Sequence, residues 1–202
     1  MNLPEVQVNG THNATTHSTP YSEISGAILQ TTTECNTCPR VARSLDPFHS
    51  LSLFLDPTCS TLEQLIRQQW QPLEIDDYFC EACGAREHCK TDRPVTTPQV
   101  LVLHLKRWMV TGRAPHFRHK KIDRFIRFDP TLHLPTQKKR GYTLRSVIVH
   151  SGGAGSGHYT SFIRTDESQW YFCDDYEIPS KTTERQVLAA SAYMLFYERA
   201  PP

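Results

Sequence analysis

Two cysteine pairs, one histidine and one pair of aspartates carry most of the chemistry this sequence could perform. Cys35-x-x-Cys38 and Cys80-x-x-Cys83 are separated by residues 39–79. A CxxC turn offers two thiolates to one ion, and two such turns complete a tetrahedral four-sulfur zinc site. Four sulfurs leave no open position for a water, so the zinc they imply is structural rather than catalytic. A thioredoxin-like redox reading needs only one pair, at the start of a helix after a buried strand. Neither pair has that setting. His158 follows a loop containing Gly152, Gly153, Gly155 and Gly157, and Asp174-Asp175 follow a short apolar run. An imidazole at one strand start and a carboxylate at a neighbouring strand end suit a general base and its orienter. The same residues also read as a polar loop histidine and an Asp-Asp-Tyr turn. A phosphate-binding loop is excluded, because no GK[ST] follows the glycines and no helix starts there.

The elements that must position these groups are mostly strands. Residues 27–33 are β-prone and lead into Cys35, and 78–80 form a short extended entry to the second pair. Residues 48–55 alternate apolar and polar for most of their length, as a half-buried strand does. Ser60 or Thr61 can cap a helix containing Leu62, Leu65 and Ile66. Residues 100–105 read as a strand buried on both faces. Further strands are expected over 125–128, 142–150, 159–164, 170–172 and 192–197, with a short helix over 183–188. The fold class is α+β, rich in strands. Residues 1–21, rich in Thr, Asn and Ser, read as a disordered tail. The domain is expected over 22–199, with 200–202 as a terminal tail.

The chain has 202 residues, 38% hydrophobic and 21% charged, with net charge +1 and mean hydropathy -0.49. That composition can build a core. It lacks the overall basic footprint of a nucleic-acid binder. The runs Arg118-His119-Lys120-Lys121 and Lys138-Lys139-Arg140 read as solvated loops. No apolar run reaches the ~18 residues of a membrane span. Residues 1–20 carry no Lys or Arg and no apolar centre, so they do not read as a signal peptide. The sequons at Asn9 and Asn13 then read as chance. Seven cysteines in such a chain point to metal or catalysis rather than disulfides. The expected location is cytoplasm and/or nucleus.

Taken in order, these segments resemble the ubiquitin-specific protease family of papain-like cysteine deubiquitinases, specifically the C-terminal half of its catalytic domain. The resemblance covers about residues 22–199. It rests on Cys35-Asn36-Thr37-Cys38, Asp46-Pro47-Phe48, Tyr78-Phe79-Cys80-Glu81-Ala82-Cys83 and Leu103-x-Leu105-Lys106-Arg107-Trp108, where the family commonly ends on Phe. It continues through Phe128-Asp129-Pro130, Val149-His150-Ser151-Gly152, Gly157-His158-Tyr159-Thr160, Trp170, Asp174-Asp175 and Ala192-Tyr193-x-Leu195-Phe196-Tyr197. The resemblance implies zinc-bearing fingers and most of a palm sheet. It implies that His158 is the general base, Asp174 its orienter and Asp175 a supporting acid. Cys35, Cys38, Cys80 and Cys83 become the zinc ligands, and the glycine loop frames the tail of ubiquitin. The implied partners are ubiquitin or ubiquitinated proteins.

The family's nucleophile lies in a Gly-Asn-Thr-Cys-Tyr box opening a thumb helix upstream of the first CxxC. Asn36-Thr37-Cys38 imitates part of that box, but Cys35 precedes it at knuckle spacing and Pro39 replaces Tyr. Cys59, Cys89 and Cys173 lack the glycine-containing helix start the nucleophile needs. No nucleophile is therefore assigned. The expectation is a base-bearing half that is inactive alone and relies on a missing thumb segment or a partner chain. The alternatives are a non-catalytic, zinc-stapled ubiquitin-binding module or a vestigial fragment. An exposed apolar palm face follows from the same expectation.

Overall fold

A computed structural model describes residues 19–113, 116–135, 141–153 and 156–200. The elements in chain order are α1 (Pro20–Ser25), β1 (Ala27–Cys35), β2 (Val41–Phe48), β3 (Leu51–Phe54), α2 (Leu62–Gln69), β4 (Leu73–Ile75) and β5 (His88–Pro94). They continue with β6 (Val100–Lys106), β7 (Trp108–Thr111), β8 (Arg118–Lys121), β9 (Thr131–Leu132), β10 (Tyr142–Gly152) and β11 (Gly157–Arg164). The last are β12 (Trp170–Cys173), β13 (Ser180–Thr182), α3 (Glu184–Leu188) and β14 (Ala192–Arg199). The α+β, strand-rich class expected from sequence is the class observed. Most of the tail expected over 1–21 lies outside the described residues. Helix α1 nonetheless begins inside it, at Pro20, because Thr19 and Ser22 form a reciprocal cap. Residues 138–140 and 201–202 also lie outside the described residues.

The chain divides into two compact units. The first comprises Met1–His49 and Gln68–Pro98, and the second comprises Ser50–Arg67 and Gln99–Pro202. The first unit is built on a four-stranded antiparallel sheet in the order β2-β1-β5-β4. Its two long partners of β1 escaped the sequence reading. β2 contains Pro47, and β5 is polar along most of its length, so neither shows a clean hydrophobic period.

The second unit is built on a sheet in the order β13-β12-β11-β10-β14-β6-β3, with β9 pairing the start of β10. Only β3 and β6 run parallel. Leu53, Leu103, Leu105, Leu144, Val147 and Leu195 are fully buried and form the centre of the core. Burial of each such side chain contributes about 2 kcal/mol. Tyr197 is buried with them, and its hydroxyl donates to Asp129 O at 2.7 Å. Thr61 caps α2: its Oγ1 accepts from Gln64 N, and Gln64 Oε1 accepts from Thr61 N. Thr183 caps α3 in the same reciprocal way.

Strand β10 departs from simple alternation. Tyr142 and Leu144 are buried at period two, but the next buried residues are Val147 and His150. Register shifts against β14 lie between Leu144 and Ser146 and between Ile148 and Val149. Each extra residue changes which side chains face the core. The first shift skips Arg145 on β10 and returns Val147 to the core. The second skips Tyr193 on β14, and His150 is buried instead by the rings of Trp108, Tyr159 and Tyr193.

Four sequence expectations need correction. The run 48–55 is not one strand: Phe48 ends β2, and β3 starts at Leu51. Tyr78–Cys80 is not extended pairing. Cys80 N instead donates to Ala85 O and Gly84 N to Cys80 O, closing a tight knuckle. Residues 125–128 make only one isolated bridge, Thr61 with Arg127, although Ile126 and Phe128 are buried alternately. The basic run 118–121 is strand β8 rather than a loop, and its last residue, Lys121, is mostly buried.

Candidate functional site

The four paired cysteines meet in the first unit. β1 delivers Cys35, and the backbone turns after it, with Cys35 N donating to Arg40 O at 3.0 Å. The second knuckle closes on Gly84, whose φ of 76° favours glycine. Cys35 Sγ lies 3.6 Å from Cys83 Sγ, and Cys38 Sγ lies 3.7 Å from Cys80 Sγ. All four sulfurs fall within 4.8 Å of one another. A disulfide needs about 2.05 Å, and none is formed among them. Zinc–sulfur bonds of about 2.3 Å in a tetrahedron put sulfurs ~3.8 Å apart. The quartet is therefore in a zinc-binding arrangement, and its donor set fits zinc.

The four thiols act on one another. The Cys83 amide, followed by that of Ala82, outweighs desolvation and brings the Cys80 thiol down to about 6. Cys83 goes the other way. The Ala85 amide favours its thiolate, but desolvation and the thiols of Cys38, Cys80 and Cys35 push it up to about 12. A dication among them removes this conflict, because a coordinating thiol is deprotonated outright.

The histidine and the aspartates meet in the second unit. The β10–β11 register sets Ser151 opposite His158, and the β11–β12 register sets Ser161 opposite Cys173. Those two pairings bring the start of β11 beside the turn after β12. His158 Nε2 lies 2.5 Å from Asp174 Oδ1, and Nδ1 lies 3.7 Å from Asp175 Oδ2. The hydrogen bond that His158 donates to Asp174, then the charge of Asp174, raises the His158 pKa, with a smaller contribution from Asp175. With Nε2 committed to Asp174, Nδ1 is the nitrogen left to accept a proton.

Residues 2–197 match the family model described as ubiquitin carboxyl-terminal hydrolase. The chain belongs to this family. It is 33% identical over 190 residues to ubiquitin carboxyl-terminal hydrolase 23 of Arabidopsis thaliana, covering 88% of this chain and 21% of that one. It is 32% identical over 209 residues to human ubiquitin carboxyl-terminal hydrolase 3, covering 89% and 39%. Among solved structures, it is similar to the SAGA DUB module Ubp8/Sgf11/Sus1/Sgf73 bound to monoubiquitin. The TM-score there is 0.78 with 25% identity, covering 90% of this chain and 42% of that one. The same module bound to ubiquitin aldehyde shares the fold at a TM-score of 0.81 and 24% identity, covering 95% and 45%. The chain thus spans less than half the length of these relatives.

Within the family fold, the structure gathers His158, Asp174 and Asp175 as the sequence reading expected. Among the described residues, no thiol is hydrogen-bonded to the His158 ring. Among the described residues, Cys59 is buried, and Cys89 and Cys173 are half-buried in β5 and β12. None of these makes a hydrogen bond to His158, whose polar partners are the two aspartates. The structure also reveals a cluster that no spacing rule flags. The rings of Trp108, Tyr159 and Tyr193 pack around His150 at centroid distances of 5.7, 4.7 and 5.8 Å. Trp108, His150 and Tyr159 also line a cavity of about 440 Å³ beside the glycine loop. These residues come from four separate strands, so only tertiary structure unites them.

Two outcomes are expected. Metal analysis should find one zinc per chain, following the four-thiolate stoichiometry. Cys80→Ser should lower that occupancy and speed amide exchange in β1 while leaving β10 and β14 protected; no zinc in freshly purified chain would contradict the site. Asp174→Asn should bring the His158 pKa down towards the ordinary value of about 6.5. Because the folded pKa is raised, the pair stabilises fully below that value and loses its contribution as pH climbs through the folded pKa. Asp174→Asn should abolish that pH dependence of stability, and an NMR titration of the imidazole that shows no change would contradict the assignment.

Proposed function

We propose that this chain is the base-bearing part of a thiol-dependent ubiquitin hydrolase. In this reading His158 is the general base, Asp174 its orienter and Asp175 a supporting acid. The observation that carries it is the His158–Asp174 bond, which leaves Nδ1 as the proton-accepting nitrogen at the start of β11. A cysteine thiol supplied by residues outside this chain gives its proton to Nδ1, and the thiolate attacks the carbonyl carbon of ubiquitin's C-terminal glycine. The tetrahedral oxyanion collapses, and the leaving amine takes the proton back from His158. Water, deprotonated in turn by His158, then hydrolyses the thioester and frees the thiol. Asp174 holds the ring and stabilises the imidazolium through both halves.

Ubiquitin is the proposed partner. Support comes from family membership and from the ubiquitin-bound relatives of the same fold. Apolar side chains also stand exposed near the site: Tyr159 and Ile163 on β11, and Tyr176 and Ile178 after Asp175. Clustered exposed apolar residues mark interaction surfaces. A second reading, a zinc-stapled module that binds ubiquitin without cleaving it, is favoured by one observation: no described thiol is bonded to His158.

The test is to treat the zinc-loaded chain with ubiquitin carrying a thiol-reactive C-terminal electrophile and to follow the His158 ring during titration with unmodified ubiquitin. Ubiquitin with its Gly-Gly tail should shift the ring signals with micromolar or weaker affinity, and ubiquitin lacking the two glycines should not. The chain alone should form no adduct. An adduct mapped to Cys59, Cys89 or Cys173 and lost in His158→Ala would place the nucleophile inside the chain. The absence of any shift at millimolar ubiquitin would overturn both readings.

A further inference from the structure

A lysine side chain normally keeps its ammonium in water. Arg118, His119 and Lys120 do leave their side chains exposed on β8. Lys121 does not: its side chain is only 13% exposed. Its Nζ donates to His150 O at 2.7 Å and to Gly152 O at 3.3 Å, with Asp123 Oδ1 at 3.6 Å. Those two carbonyls bracket Ser151, the residue that pairs with His158 across β10 and β11. Hydrogen bonds from an ammonium are stronger than neutral ones, and these two meet the strand where it is about to enter the glycine loop.

The two ends of this contact differ in rigidity. On the β8 side, Trp108 pairs with Lys121. Ile122 N donates to Arg107 O, and the buried Arg107 guanidinium donates to Ile122 O, Arg124 O and Ala192 O. On the β10 side, Gly152 has a φ of 97°, which glycine adopts without strain, and it forms the last pair of the β10–β11 ladder, with Gly157. The His150 ring meets Trp108 above and lies close under Gly157, where a Cβ would overlap its Nε2. Ammonium and indole thus grip the same residue, one by its carbonyl and one by its ring.

We propose that Lys121 is a positioning residue that straps the end of β10 to the β7–β8 hairpin and so fixes the strand pairing from which His158 projects. This rests on the reading of His158 as the base, but its test needs neither ubiquitin nor turnover. Without the strap, the end of the pairing at Gly152 opens, and His158 spends less time against Asp174.

The experiment compares Lys121→Met and Lys121→Arg with the unmodified zinc-loaded chain by NMR. Amide exchange is read at Ser151 and His158, and the pKa is read at the His158 ring. The charged groups acting on that ring are Asp174 and Asp175. Lys121→Met should speed exchange at the strand end by about tenfold, while amides in β14 and β6 stay protected. The His158 pKa should fall, and Lys121→Arg should restore both readings. Lys121 is not among the charges acting on that ring, so loss of its charge without loss of positioning would leave the pKa in place. An unchanged or raised pKa, or unchanged exchange, overturns the proposal. If Lys121→Met does not fold, the unmodified ammonium decides. Its protons should exchange slowly and couple to the His150 carbonyl carbon, and exchange as fast as that of Lys120 would overturn the strap. Failure of ubiquitin to bind in the separate titration would remove the functional reading and leave these outcomes unchanged.

Discussion

The structure depends most on the pairing of β10 with its neighbours. β10 pairs β11 on one side and β14 on the other, with β9 beside its start. Because side chains alternate with period two, a slip of one residue would turn the core face of β11 outward and carry His158 away from Asp174. The register is held by burial. Tyr142, Leu144, Val147, Leu195 and Tyr197 are all inside the sheet's core. At the far end of the strand, His150 is buried by the rings of Trp108, Tyr159 and Tyr193. The histidine–aspartate pair is thus a consequence of core packing some residues away. The same logic explains why an exposed histidine and a half-buried aspartate can hold a fixed geometry: the strands, rather than the side chains' own interaction, supply the order.

The zinc quartet solves a comparable problem with different physics. The four-stranded sheet of the first unit carries polar residues along β5 and has a proline in β2. Several of the unit's apolar side chains, among them Ile28, Val41, Leu45, Leu73 and Phe79, stand exposed rather than packed in a core. Two knuckles contributed by residues far apart in the chain close on one tetrahedron instead. The thiols are mismatched, one drawn down to about 6 and one pushed up to about 12. Because the four ligands come together only when both knuckles fold, coordination energy would be folding energy for these loops. The surrounding Arg40–Glu81 pair is exposed and adds little.

Much of this was legible in the sequence. Both CxxC pairs, the histidine after the glycine loop and the acidic pair stood at spacings that only a few chemistries explain. The strands around them showed apolar periods, as in residues 142–150 and 192–197. What was hidden lacked a local signal. Strands β2 and β5 have no hydrophobic alternation, and the order of β10 is broken by register shifts that arise only against β14. Residues 125–128 alternate like a strand but find a single bridging partner. Lys121 looked like one member of a solvated basic run, because no sequence pattern tells an ammonium that meets two carbonyls from one that meets water. The rings around His150 come from β7, β10, β11 and β14, and nothing in their spacing joins them. Local chemistry was readable, and tertiary positioning was not.

The central claim is that the fold commits His158 Nε2 to Asp174 and leaves Nδ1 as the nitrogen that can accept a proton. The most direct measurement is the tautomer of His158, read from its two ring-nitrogen shifts by NMR above the pKa of the ring. The account predicts a proton on Nε2 and a bare lone pair on Nδ1, with the opposite pattern or averaged shifts appearing in Asp174→Asn. A proton on Nδ1 in the unmodified chain, or averaged shifts there, would contradict it.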